Sequence, residues 1–164
     1  MQIAKKGKEI FMVAKIAKLV QLYPIEGGLQ PSRKMQDKHG HRISYLRLSI
    51  TDRCNERCGY CMPAELQEWL PREGVLTYEE ILRITDIAAG IGITKVRVTG
   101  GEPLTRRDVI PFLERLCSIK GISEVGVSTN GTLLSKAAPG FVTTADALVA
   151  AGVRSVNISL DTLD

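Results

Sequence analysis

The recurrence of strand-like segments at a fixed interval constrains the fold of this chain most strongly. Four segments alternate apolar and polar residues, at 45–50, 94–99, 124–128 and 154–159, and the last three begin thirty residues apart. Alternation with a period of two is typical of β-strands. Segments with helical periodicity lie between them, and strand–helix alternation of this kind predicts a parallel sheet with helices outside it.

Three helices are predicted between the strands. Thr77 and Glu80 have the spacing of a capping box, and the apolar stripe that follows them ends at Gly90. A second helix is expected within 105–121 and a third within 143–152. The predicted fold class is therefore α/β.

The second face of the predicted sheet is polar, which is unusual for parallel strands. The aliphatic residues of each strand share one face, while Arg47, Lys95 and Arg97 lie on the other. Parallel strands covered on both sides are nearly continuous in Val, Ile and Leu, and closed barrels are filled with branched aliphatic residues. A half-open sheet curved around a polar ligand explains the pattern. The alternative is an antiparallel sheet with one solvated face, which the long helical connections disfavour.

Composition excludes several classes of protein. The 164 residues suffice for one domain with a real core, and 44% hydrophobic and 24% charged residues are ordinary for a globular protein. A net charge of +4 with 5% aromatic residues does not predict a nucleic-acid partner. The longest apolar run near the start, 11–14, is too short for a membrane span.

Residues 1–34 are expected to be a poorly ordered or non-native extension upstream of Met35, and residues 35–164 the folded domain.

Three cysteines follow the first predicted strand. Cys54, Cys58 and Cys61 fall within eight residues, a pattern that indicates an intracellular, cytoplasmic metal-binding protein rather than a disulfide framework. Three thiolates leave one iron of a 4Fe–4S cube without a protein ligand, and an open metal position is what catalysis needs. Zinc is the alternative, with a fourth ligand from His39, His41 or Cys117.

The chain resembles a known family over about 37–164. "LRLSITDRCNERCGYCMP", "VRVTGGEPLTRRD" and "NISLD" are similar to the radical S-adenosylmethionine (SAM) superfamily and, within it, to the GTP 3′,8-cyclases of molybdenum cofactor biosynthesis. The resemblance implies a partial (β/α) barrel of the radical SAM type. It also implies that the open iron binds SAM and that reductive cleavage gives a 5′-deoxyadenosyl radical, which abstracts hydrogen from the ribose of GTP.

The resemblance also implies ligand-binding positions. The positions that match SAM-contacting residues are Tyr60, Gly101 and Ser159, and those that match GTP-contacting residues are Arg47, Arg97 and Ser128. Two further candidates follow from chemistry: the Glu102 carboxylate could accept bonds from the SAM amine, and Lys95 could add charge for the triphosphate.

Further partners are implied as well. They are a protein that donates electrons and a downstream enzyme of the molybdenum cofactor pathway. A complete barrel takes about 250 residues, so we expect this chain to be the N-terminal half and incompetent alone for the full reaction. A second 4Fe–4S cluster is expected only in the C-terminal half. The alternatives are another radical SAM enzyme, such as a peptide-modifying one, and a non-catalytic metal-binding module.

Overall fold

The computed structural model describes residues 36–61 and 69–160. The predicted extension at 1–34 and its boundary at Met35 lie outside these ranges. Within them the elements in chain order are β1 (Tyr45–Ser49), α1 (Tyr78–Gly90), β2 (Lys95–Thr99), α2 (Val109–Cys117), β3 (Glu124–Thr129), α3 (Thr144–Ala150) and β4 (Ser155–Ile158). Short 3₁₀ turns lie at Arg72–Gly74 and Pro103–Thr105.

The four strands form one parallel sheet in the order β1-β2-β3-β4. Each helix connects two neighbouring strands, so the described chain consists of three consecutive β–α–β units. The α/β class and the partial (β/α) barrel expected from the sequence are confirmed. All strand carboxyl ends lie at one edge of this sheet, which places the loops after β1, β2 and β3 beside one another.

The hydrophobic core lies between the sheet and the helices. Val96, Val98, Val125 and Val127 are at most 2% exposed. They belong to one buried set with the apolar stripe of α2, which consists of Val109, Phe112, Leu113 and Leu116. Strand β4 differs, because Val156 and Ile158 are 39% and 57% exposed. The period-two pattern identified the apolar face of β4 correctly but could not show how little of it is covered.

Side-chain caps begin two of the helices. Thr77 and Glu80 form the predicted capping box at the start of α1. Thr143 and Asp146 form a second box at α3, which the sequence reading missed because Asp stands where Glu or Gln is usual. Within the described ranges, the structure contains no helix long and apolar enough to cross a lipid bilayer.

Candidate functional site

The thiol loop, residues 54–61, follows β1 at the carboxyl edge of the sheet. Cys54 and Cys58 are half-buried and Cys61 is exposed, and the amide of Cys61 donates to the Cys58 carbonyl at 2.9 Å. All four cysteines of the chain are thiols. Among the described residues, no three His, Cys, Asp or Glu side chains converge on a point where a metal ion could sit. The donor set itself, three closely spaced thiols, fits a cube that takes one thiolate per iron.

The Gly-Gly-Glu segment after β2, residues 100–102, is hydrogen-bonded to the chain just before the thiol loop. The amide of Gly101 donates to the Thr51 carbonyl and that of Glu102 to the Arg53 carbonyl, both at 2.8 Å. A Cβ atom at Gly100 would lie 2.6 Å from the Thr51 oxygen, and one at Gly101 would overlap the Arg53 carbonyl. Only glycines therefore let the two backbones approach this closely.

The Glu102 carboxylate joins the loops after β2 and β3. It is completely buried. Its Oε1 accepts from the Leu104 amide at 3.0 Å and from Thr129 Oγ1 at 2.9 Å, and its Oε2 accepts from the Asn130 amide at 2.7 Å. A carboxylate with no exposed surface and three internal donors has no room for the SAM amine in this conformation. In this structure the Glu102 carboxylate therefore links the two loops, and its direct contact with SAM stays a prediction from the sequence.

The polar face of the sheet carries a row of residues in register. Arg47 pairs with Arg97, Arg97 with Gly126, and Gly126 with Ser155, so all four lie side by side. The Arg97 guanidinium lies over Gly126, where a Cβ atom would be 2.7 Å from its Cζ, and its Nη1 donates to the Val127 carbonyl at 3.4 Å. Among the described residues Ser155 Oγ is buried without a hydrogen-bond partner. The row therefore presents hydrogen-bonding groups that a ligand could satisfy.

The other predicted ligand-binding residues are distributed along the sheet. Ser128 lies two residues beyond Gly126, nearer the carboxyl edge, and Ser159 follows β4 at that edge. Tyr60 is 77% exposed in the thiol loop. Lys95 begins β2 at the amino edge, where its Nζ lies 2.9 Å from Glu124 and its hydrogen bond lowers the pKa of that carboxyl. Lys95 is therefore paired with a carboxylate at the edge of the sheet opposite the thiol loop.

The additional ligands of the zinc alternative lie away from the thiol loop. His41 precedes β1 and its ring is bonded to Asp37 at 2.9 Å, with His39 beside it. Cys117 ends α2 and contacts Gly152, just before β4, and burial raises the pKa of its thiol. These three residues sit at the amino edge of the sheet, whereas the thiol loop sits at the carboxyl edge.

Sequence reasoning missed two groups of polar residues. Asn130 and Thr132, in the loop after β3, contact Asn55 of the thiol loop. The Asn-Gly turn signal directly after a strand could have placed this loop at the carboxyl edge. Ser155 lies on the polar face of β4, and its position beside Arg97 becomes visible only from the strand register.

Comparison with known proteins matches most of the chain, including the three-cysteine loop, to one superfamily. Residues 48–164 match the radical SAM superfamily, and the chain belongs to that superfamily. Membership implies a 4Fe–4S cluster and SAM as cofactors.

Several curated proteins that are similar to this chain in sequence are named GTP 3′,8-cyclase. The chain is 50% identical over 131 residues to a GTP 3′,8-cyclase of Thermodesulfovibrio yellowstonii, covering 79% of this chain and 38% of the relative. It is 52% identical over 127 residues to one of Geobacter sulfurreducens (77% and 37%) and 46% identical over 134 residues to one of Staphylococcus epidermidis (79% and 37%). The chain thus spans less than two fifths of the length of these curated relatives.

Proposed function

We propose that this chain carries the cofactor-binding part of a GTP 3′,8-cyclase, a radical SAM lyase of molybdenum cofactor biosynthesis. One observation carries the proposal: the chain just before the thiol loop is hydrogen-bonded to the Gly-Gly-Glu segment at the carboxyl edge of the sheet, and the polar face of that sheet bears Arg47 and Arg97, here called the arginine row. The similarity to proteins named GTP 3′,8-cyclase supports this particular activity.

The thiolates of Cys54, Cys58 and Cys61 would hold a 4Fe–4S cluster, leaving one iron for SAM. When bound, this group supplies the electron that cleaves SAM and so generates the radical that takes hydrogen from the GTP ribose. The exposed Gly101 has its amide bonded to Thr51, so its carbonyl oxygen is the acceptor that it offers to the SAM amine. Tyr60 and Ser159 complete the proposed SAM contacts.

The arginine row would hold GTP. Guanidinium groups form paired hydrogen bonds to phosphate oxygens and to the acceptor atoms of guanine. Arg47 is exposed on this face, Arg97 is partly buried next to it, and Ser128 offers a hydroxyl nearer the thiol loop. The unsatisfied Ser155 hydroxyl supports the proposal, because a buried polar atom without a partner costs free energy that a bound ligand would recover.

The proposed activity also requires partners. We propose that the enzyme receives its electron from a donor protein, passes its product to a downstream enzyme of the same pathway and acts in the cytoplasm. We also propose that a second 4Fe–4S cluster belongs to a C-terminal portion corresponding to the rest of the relatives' length.

Anaerobic reconstitution with iron and sulfide tests the cluster assignment. Serine substitution of Cys54, Cys58 or Cys61 should abolish or strongly reduce the absorption and electron paramagnetic resonance signals of a 4Fe–4S cluster, since each thiolate holds one iron. The Cys117→Ser variant is the control and should bind a full cluster. A full cluster in Cys58→Ser, together with its loss in Cys117→Ser, would refute the assignment. Release of 5′-deoxyadenosine from SAM by the reduced protein would separate an enzyme from a non-catalytic module.

A further inference from the structure

The loop after β3 forms a closed hydrogen-bonded ring with the thiol loop. Asn130 Nδ2 donates to Asn55 Oδ1 at 3.0 Å, Asn55 Nδ2 donates to Thr132 Oγ1 at 2.8 Å, and Thr132 Oγ1 donates to Asn130 Oδ1 at 2.7 Å. Each of the three side chains gives one hydrogen bond and receives one. The ring joins residues that are 75 and 77 positions apart in the chain.

The direction of the ring is fixed by backbone groups. The Thr132 amide can only donate, and it donates to Asn130 Oδ1 at 3.1 Å. The Nδ2 group of Asn130 must therefore face the thiol loop, because a reversed carboxamide would set two donors against each other. The Asn130 amide is in turn held by the buried Glu102 carboxylate at 2.7 Å. Asn130 is thus oriented from both ends.

The second hydrogen on Asn130 Nδ2 is directed at the thiol loop. Nδ2 lies 4.0 Å from the Cys54 sulfur, which also accepts from the Glu56 amide at 3.4 Å. A cysteine sulfur bound to a cluster carries negative charge and accepts a shorter and stronger bond from an N–H group than a neutral sulfur does.

We propose that Asn130 is a positioning residue for the 4Fe–4S cluster: it holds the thiol loop in place through Asn55 and supplies the side-chain hydrogen bond to the Cys54 sulfur. The inference rests on the proposed function, since it requires a cluster on Cys54. Hydrogen bonds to cluster sulfurs are among the factors that set the reduction potential. An N–H donor stabilises the additional negative charge of the reduced state, so Asn130 raises the potential and makes the cluster easier to reduce.

The test compares two substitutions within the ring. Asn130→Leu removes the donor to Cys54 while keeping a side chain of similar size. Thr132→Val is the matched control, because it removes the hydroxyl from the ring but keeps Asn130. The backbone amide of residue 132 can still donate to Asn130 Oδ1, and Asn130 Nδ2 can still contact the Cys54 sulfur. Both proteins and the wild-type chain are reconstituted anaerobically, assayed for iron and sulfide, and titrated with reductant while electron paramagnetic resonance is recorded.

The expected result is a full cluster in all three proteins and a more negative potential in Asn130→Leu alone. A tenfold smaller equilibrium constant for reduction corresponds to about 59 mV for one electron. An unchanged potential in a fully loaded Asn130→Leu protein would overturn the inference and leave the proposed function intact. An equal shift in Thr132→Val would also overturn it, because ring loss alone would then be the cause.

Loss of the cluster, in the variant or in the wild type, also decides the inference. If Asn130→Leu binds no cluster, thermal unfolding of the metal-free proteins distinguishes the causes. An unchanged midpoint supports the positioning role, whereas a large drop shows that Asn130 serves only the fold and overturns the inference. A wild-type chain that binds no 4Fe–4S cluster would refute the proposed function, and the inference would fall with it.

Discussion

Arg97 lies across β3 because its neighbour in the sheet is a glycine. Any side chain at Gly126 would occupy the space of the Arg97 guanidinium and of Ser155 Oγ. The guanidinium is thereby held beside the sheet with most of its donors available, since the described contacts give it one weak bond to the Val127 carbonyl. A preoriented guanidinium loses little freedom when it binds phosphate or guanine.

Replacing Arg97 should therefore weaken GTP binding. In Arg97→Ala we expect a loss of about 1.5–3 kcal/mol, the usual contribution of a hydrogen bond to a charged group. Titration calorimetry of the reconstituted protein with GTP measures it. Lys95→Ala is the control, because Lys95 lies on the same strand but is paired with Glu124 at the amino edge. Equal losses in the two variants would contradict the proposed GTP site.

The sequence predicted the positions of those individual residues that belong to a pattern within one short segment. The period of two placed Arg47 and Arg97 on the polar face, and the spacing of Cys54, Cys58 and Cys61 identified a metal-binding loop. It did not predict that Glu102 is buried, nor that Asn130 contacts the thiol loop. Those interactions join residues 27 to 76 positions apart, and no periodicity within one segment reports such contacts. The strand register, which brings Ser155 to Arg97, is equally invisible locally.

Among the elements, the start of α1 and the end of β1 are held together by one arginine. Arg106 donates from Nη1 to the Ile50 carbonyl and from Nη2 to the Leu76 carbonyl, the latter at 2.7 Å. Its guanidinium also lies 4.1 Å from the centre of the Tyr78 ring, and burial raises the pKa of Tyr78 to about 12. The side chain of the adjacent Arg107 is exposed, and its guanidinium lies 3.4 Å from the Asp108 carboxylate.

The two arginines should consequently differ in their effect on stability. Arg106→Ala should lower the free energy of unfolding by about 1.5–3 kcal/mol, because two partly buried carbonyls lose a charged donor. Arg107→Ala should change it by no more than about 0.5 kcal/mol. Urea denaturation of the three metal-free proteins measures the difference. The contrast would be disproved by matching denaturation midpoints for the two variants. The sequence "TRRD" alone could not distinguish them, since consecutive residues share their composition and their neighbours.

For the whole molecule, the exposed side chains of β4 are the main exception on the apolar, helix-covered face of the sheet. In the described part of the chain, β4 pairs only with β3, so its outer edge carries unpaired backbone groups beside Val156 and Ile158. An apolar edge strand of this kind is a template for pairing with another chain. The alternation within residues 154–159 predicted the strand, but its neighbours are set by the whole sheet.

The isolated 164-residue chain should therefore self-associate through this edge. We expect sedimentation velocity to show concentration-dependent oligomers for the wild type and a monomer for Ile158→Lys, because a charge on the edge opposes strand pairing. Val149→Lys is the control, since Val149 is 75% exposed but belongs to α3 and not to the edge strand. Equal suppression by both lysines, or a wild type that stays monomeric at all concentrations, would refute the role of β4.

The long sequence separation within the ring of Asn55, Asn130 and Thr132 has a consequence for biosynthesis. Asn55 leaves the ribosome 77 residues before Thr132. At 5–20 residues per second, this delay is roughly 4–15 s. Throughout that time the nascent thiols lack the partners that hold their loop and remain open to oxidation. Iron and sulfide delivered after Thr132 has emerged would meet an ordered acceptor, so the order of translation itself favours late insertion of the cofactor.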